Sequence, residues 1–218
     1  MQVILTGTFS IVAIDATAGE AGVAVASKYP AVGEVVPFVR AGVGAVATQC
    51  HHNPPWGPRA LDMLAKGAHP AEVIAALLKE DEKPGLRQLA AIDMQGRVAN
   101  HNPYAREGDG LWWGSLAGRF YSCQGNSLVG MQVIHEMAKA FETTSGTLAD
   151  RLMASLVAGD RAGGDHRGRL GAAILVAGPK HPDKPLDLRV DKDDDAVNAL
   201  HRKYLACCST CPFPPRPD

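Results

Sequence analysis

Gly7-Thr8, at the head of an apolar run, is the pair with the most direct route to chemistry. A threonine at a chain terminus is a self-contained catalyst, because its hydroxyl attacks while its own α-amine serves as the base. The amine suits that work, with a reference pKa of about 7.7–8.0, near working pH. Here the amine becomes free only when residues 1–7 are removed. Glycine at position 7 eases that removal, since it tolerates strained backbone. A strained peptide bond at this point could be attacked by the Thr8 hydroxyl itself. Gly-Thr pairs are common, and the plain alternative is the leading residue of an ordinary strand. Thr6 is the competing nucleophile.

Other groups could complete such a centre. Lys28 follows a strand-like run, and a lysine beside a nucleophile lowers the nucleophile's pKa and stabilises charge; otherwise it is a solvated strand end. Gly163-Gly164-Asp165-His166-Arg167-Gly168-Arg169 precedes another apolar run. Its glycines bring backbone N–H groups close to a ligand, and Arg167 and Arg169 can grip a carboxylate with two N–H groups each. Asp165 could orient the nucleophile's amine, or it could form an Asp–Arg clamp that only holds the turn. The segment lacks the spacing and the following helix of a phosphate loop. Gln49, His51 and Gln124 are candidate substrate contacts, with Asn53 beside them, while Asn126 has the chemistry of a helix N-cap. His51 and His52 are adjacent at a strand end, where successive side chains point apart, so they do not chelate one metal together. Cys207, Cys208 and Cys211 include a C-x-x-C spacing, but a zinc site wants a second pair and none is evident.

The elements that must position these groups follow from periodicity. Thr8–Asp15 is apolar on both faces, as a buried strand is. A turn at 16–20 leads to a second strand over 22–28, and 34–40 with 43–49 form another pair. Helices are expected over 58–66 and 70–79, the latter with proline in its first turn. Strands return at 86–93 and 97–101. The Gly- and Trp-rich stretch 102–118 reads as a long loop, in which Trp112 and Trp113 would wall a pocket or bury against a partner chain. Helices over 127–141 and 148–157 carry apolar stripes, strands follow at 170–177 and 186–190, and a last helix spans 193–205. Asp193, Asp194 and Asp195 suit that helix's N-terminal dipole. Runs of strands and runs of helices, without regular βαβ alternation, indicate an α+β protein of antiparallel sheets covered by helices.

TFSIVAID-x-x-x-GE-x-GVAVASK-x-x-AVG, from Thr8 to Gly33, resembles the start of the DUF1028 family, largely uncharacterised bacterial proteins assigned to the N-terminal-nucleophile (Ntn) hydrolase superfamily. The likeness continues in RAGVGAVATQ (40–49), RQLAAID-x-x-GRVA (87–99), QGN (124–126), AGGDHRGR (162–169) and DLRVD (187–191). The resemblance implies a four-layer αββα sandwich, with two antiparallel sheets between helical layers. The family usually carries its threonine directly after the initiator methionine, whereas here seven residues precede Thr8, so exposure calls for self-cleavage or another protease. His101-Asn102-Pro103 stands where relatives tend to have His-Thr-Gly, and Leu170-Gly171-Ala172 where they tend to have Gln-Ser-Ala. Each change removes a hydroxyl.

Bulk properties bound the rest. The 218 residues suit one domain that can bury a full core, divided as an extension (1–7), an Ntn-hydrolase-like domain (8–205) and a Pro- and Cys-rich tail (206–218). With 22 basic and 23 acidic residues there is no basic stripe for nucleic acid. No apolar run is long enough for a membrane, and MQVILTG is no signal peptide, so the cytoplasm is the expected compartment. Five unevenly spaced cysteines do not make a disulfide framework. The leading expectation is an amidohydrolase without cofactor or metal. Thr8, Lys28 and Asp165 would be catalytic, and Gln49, His51, Gln124, Arg167 and Arg169 would contact a small amide substrate. The alternative is a ligand-binding or scaffold protein that keeps the fold without the catalyst. A zinc-dependent protein using the histidine pair and tail cysteines ranks last. Small-residue strands and tryptophans are compatible with a homodimer and equally with a monomer.

Overall fold

Alternation within the first strand, β1 (Thr8–Asp15), sets the layers of the molecule. Successive side chains leave a strand on opposite faces. Phe9, Ile11 and Ala13 enter one apolar cluster with helices, while Val12 and Ile14 enter a different one facing a second sheet. In the computed structural model, which describes residues 7–104, 112–179 and 185–207, β1 is buried on both faces.

β1 pairs with β2 (Glu20–Ser27) on one side and β8 (Tyr121–Leu128) on the other. With β7 (Trp112–Gly118), β9 (Gly171–Ala177) and β10 (Leu186–Val190) they form a six-stranded antiparallel sheet in the order β10-β9-β2-β1-β8-β7. A four-stranded antiparallel sheet, β3-β4-β5-β6, consists of Pro37–Arg40, Gly44–Cys50, Arg87–Asp93 and Val98–His101. Val12, Ile14, Val23, Val25, Ala45, Ala47 and Ile92 fill the space between the sheets. α1 (Trp56–Ala65) and α2 (Pro70–Lys79) cover the outer face of the smaller sheet through Val46, Leu61, Val73, Leu77 and Leu89. α3 (Gln132–Thr143), α4 (Leu148–Arg161) and α5 (Ala196–Cys207) cover the larger sheet through Phe9, Ile134, Phe141, Leu152 and Leu200. The result is the four-layer αββα sandwich.

Local chemistry explains the helix starts. Pro70 opens α2 behind a capping box of His69 and Glu72, and Thr147 and Asp150 make the equivalent box for α4. Several expected boundaries move. The stretch 102–118 is not all loop: its second half is β7, an edge strand with a bulge between Trp112 and Gly114. The helix expected from 127 begins at Gln132, because Ser127 and Leu128 still belong to β8 and Ser127 has φ of 53°. α4 extends to Arg161, and α5 starts at Ala196, after the three aspartates rather than within them. Among the described residues no helix is long and apolar enough to cross a membrane. Thr6, Cys208 and Cys211 lie outside the described residues.

Candidate active site

Thr8 begins a central strand, so its position is set from both sides. Its Cα faces Ser27 across β2 and Asn126 across β8. Directly opposed residues present their side chains on one face, so Thr8, Ser27 and Asn126 share the inter-sheet side. The Thr8 and Ser27 hydroxyl oxygens are 3.0 Å apart. The Ser27 hydroxyl donates to the carbonyl oxygen of Gly7 at 2.5 Å, and the Tyr29 backbone N–H donates to the Ser27 oxygen at 3.0 Å. Thr8 is 1% exposed with Gly7 in place.

Gly7 itself lies against the loop that follows α4. A Cβ added to Gly7 would sit 2.5 Å from Arg167 Nη2 and closer still to the Asp165 carboxylate, so any other residue there would force the Asp165–Arg167 pair to shift. Asp165 is fully buried in its side chain and accepts from the Arg167 backbone N–H at 3.0 Å, from Arg167 Nε at 3.1 Å and from the Lys28 backbone N–H at 3.2 Å. A buried carboxylate needs such partners. The next residue, His166, donates its backbone N–H to the Ser127 carbonyl, and its Nδ1 lies 2.9 Å from the same oxygen. Lys28 is exposed, and its Nζ reaches over Gly168. The loop thus brings Asp165, Arg167 and Lys28 to the Gly7-Thr8 end of β1. Arg169 is different, since it is ion-paired with Asp160 of α4 and packs its stem over Gly164.

Beyond Thr8 the inter-sheet face carries a chain of buried polar groups. Gln124 Nε2 donates to Ser10 Oγ at 2.7 Å, and Ser10 Oγ donates to Gln49 Oε1 at 2.6 Å. Gln49 Nε2 and Asn126 Nδ2 both donate to Gln88 Oε1, at 2.8 and 2.9 Å. Gln88 Nε2 in turn reaches the Gly125 carbonyl and Asn102 Oδ1, and Asn102 Nδ2 donates to Ser115 Oγ. Gln49 and Gln124, expected as substrate contacts, are 1% and 0% exposed, and both are held within this network. Asn126 is a strand residue bonded to Gln88, not a helix cap. Asn102 joins the network through its side-chain amide. A Cβ on Gly171 would come within 2.7 Å of the Tyr29 carbonyl, so glycine lets the turn after Ser27 close onto β9.

The rim on the smaller sheet is aromatic and cationic. His51 follows β4, is half-buried, and its carbonyl accepts from Arg87 Nη1 at 2.5 Å. His52 meets Tyr29 edge-on, with ring centroids 5.2 Å apart. Burial, and then the charges of Arg87 and His51, hold the His52 imidazole below its ordinary pKa. Arg87 is pinned by Asp81 and lies over the Trp56 ring. Of the four described non-glycine residues with positive φ, Cys50 (66°) is the last residue of β4, which carries Gln49, and Ser127 (53°) is the last but one of β8, which carries Asn126. Backbone strain of this kind concentrates at functional sites. A cavity of about 680 Å³ lies elsewhere, among α3, α4 and α5 and lined by Met153, Val157 and Tyr204, on the helical side of the larger sheet rather than the Thr8 side. Among the described residues no three His, Cys, Asp or Glu side chains gather as a metal-binding group.

Ser27, Ser10 and Gln88 were not singled out in the sequence. The available signal was alternation: each is a polar residue on the inward phase of an otherwise apolar strand, as in Val23-x-Val25-x-Ser27 and Gln88-x-Ala90-x-Ile92.

The family model described as a family of unknown function, DUF1028, matches residues 8–200. Among solved structures, protein SPO2555 from Silicibacter pomeroyi, also described as DUF1028, is 31% identical with a TM-score of 0.85, covering 95% of this chain and 88% of its own. No curated protein matches the chain. The ordered strands, the glycine-bounded Asp165 loop and the match over 8–200 together establish that the chain belongs to the DUF1028 family.

Proposed function

We propose that this protein is an Ntn-type amidohydrolase of the cytoplasm that exposes Thr8 by cleaving its own Gly7–Thr8 bond and then hydrolyses a small amide. The observation that carries this reading is the setting of Gly7-Thr8. A threonine hydroxyl begins the central strand, hydrogen-bonded to Ser27, and the preceding residue is a glycine lodged against a buried carboxylate that a side chain would displace. With residue 7 attached, Thr8 is buried and its nitrogen is an amide. Cleavage would remove the cover and convert that nitrogen to the amine that serves as base. The Thr8 hydroxyl would then attack the substrate carbonyl, with the amine carrying the proton to the leaving nitrogen. The Lys28 ammonium and the Asp165–Arg167 pair beside Gly7 would set the charge around that amine.

Intact mass of the purified full chain tests the reading. A species beginning at Thr8, absent from Thr8→Ala, is the expected result. Retention of residues 1–7 in the wild type would sink it. The burial of Thr8 would then favour the second reading, a ligand-binding protein on the same fold.

A further inference from the structure

Ser27 has one hydroxyl hydrogen and two oxygen lone pairs. Its 2.5 Å contact is to a carbonyl oxygen, which has no hydrogen to offer, so the Ser27 hydrogen is spent on Gly7. The 3.0 Å contact with Thr8 must therefore run the other way, with the Thr8 hydroxyl donating to Ser27. The Tyr29 backbone N–H donates to the same Ser27 oxygen and fixes the serine rotamer. One buried hydroxyl thus accepts the nucleophile's proton and donates to the carbonyl that the nucleophile would attack. Ser27 is 0% exposed, so bulk water does not compete for either contact.

We propose that Ser27 is a catalytic residue of the Gly7–Thr8 scission, acting as a two-proton relay; this rests on the self-cleavage read above. As Thr8 Oγ1 bonds to the Gly7 carbonyl carbon, its proton passes to Ser27 Oγ, and the Ser27 proton passes to the Gly7 oxygen. The tetrahedral carbon then bears a neutral hydroxyl, and no charge is left in a buried site. Collapse breaks the Gly7 C–Thr8 N bond, and the proton of that hydroxyl returns through Ser27 to the leaving nitrogen. The products are an ester at Thr8 Oγ1, a free amine and an unchanged serine. Water then hydrolyses the ester, releasing the Gly7 carboxylate and restoring the Thr8 hydroxyl. A preset donor at a developing oxyanion contributes on the order of 10²–10³ in rate.

The test follows the cut fraction by intact mass in wild type, Thr8→Ala, Ser27→Ala and Ser27→Thr, each with a thermal melt, and repeats it with hydroxylamine, which cleaves esters. Ser27→Ala should be folded, cut at least about 100-fold more slowly, and gain nothing from hydroxylamine because no ester forms. Ser27→Thr keeps the hydroxyl and should cut within about tenfold of wild type. Wild-type cutting that Thr8→Ala abolishes and Ser27→Ala leaves unchanged would overturn the relay while leaving self-cleavage standing. An uncut wild type would overturn both. Hydroxylamine-driven cutting of Ser27→Ala would also overturn the relay, since the block would then follow ester formation. If Ser27→Ala does not melt cooperatively, Ser27→Cys decides. Its thiol is a weak donor of similar size, and cutting at the wild-type rate would refute the relay.

Discussion

The two ends of the inter-sheet layer are built from the same strands in the same phase, yet they cohere by different physics. At one end Val12, Ile14, Val23, Ala45 and Ile92 interlock as an apolar core. At the other, a few residues along the same strands, Thr8, Ser10, Ser27, Gln49, Gln88, Gln124 and Asn126 are equally buried but joined by hydrogen bonds. Apolar burial is non-directional and stabilises by about 1.5–3 kcal/mol per large side chain. A hydrogen bond nets less, about 0.5–1.5 kcal/mol, and costs more when left unmade. The apolar end therefore holds the sheets together, while the polar end fixes where individual atoms sit, which is what the scission proposed at Gly7-Thr8 would require.

Substitutions at the two ends should separate these roles. The largest loss of stability is expected at the apolar end: Ile92→Ala should cost about 2–5 kcal/mol by denaturant titration and leave the Gly7–Thr8 cut unchanged. If it slowed the cut as much as it destabilised the fold, the division of labour would be wrong. Gln88→Met is near-isosteric but strands the donors of Gln49 and Asn126 and the Gly125 carbonyl. It should cost about 1–3 kcal/mol and also slow the cut; a neutral melt would show that the network is dispensable packing. The smallest effect should be at the rim. Burial first, then Arg87 and His51, depress the His52 pKa, so the fold disfavours its charged form. Its contribution is full above the ordinary histidine value of 6.5 and is lost as pH falls through the lowered folded value. His52→Gln should accordingly flatten the fall of melting temperature between about pH 7 and 5, whereas Ile92→Ala should leave that slope alone.

What could be read from sequence divides along the same line. Strand β1, helix α2 and strand β10 begin and end where the pattern places them, because apolar periodicity reports burial directly. The polar end misleads that logic. Gln124 and Asn126 are inward residues of β8, yet their chemistry alone reads as a substrate contact and a helix cap. β7 escaped for a related reason: it is an edge strand, glycine-bearing and bulged, with no clean alternation. Thr8, Lys28, Asp165 and Arg167 are brought to one end of β1, as spacing alone could not require. Arg169 went instead to Asp160, a partner on a helix that no motif pointed to. Ser27 was hidden in plain sight beside Lys28, because its importance lies in a cross-strand pairing.

The placement of Thr8 between β2 and β8 bears on what happens to a protein end once it is made. Chain termini usually fray, and a frayed terminus wanders over many conformations. A cut at Gly7–Thr8 would leave a terminus already laced into its neighbours on both sides, starting at the first residue of the strand. Core strands open at higher free energies than fraying termini do. The newly freed nitrogen would therefore inherit the rigidity of the sheet, and the ordering it needs would have been completed during folding, before any substrate arrives.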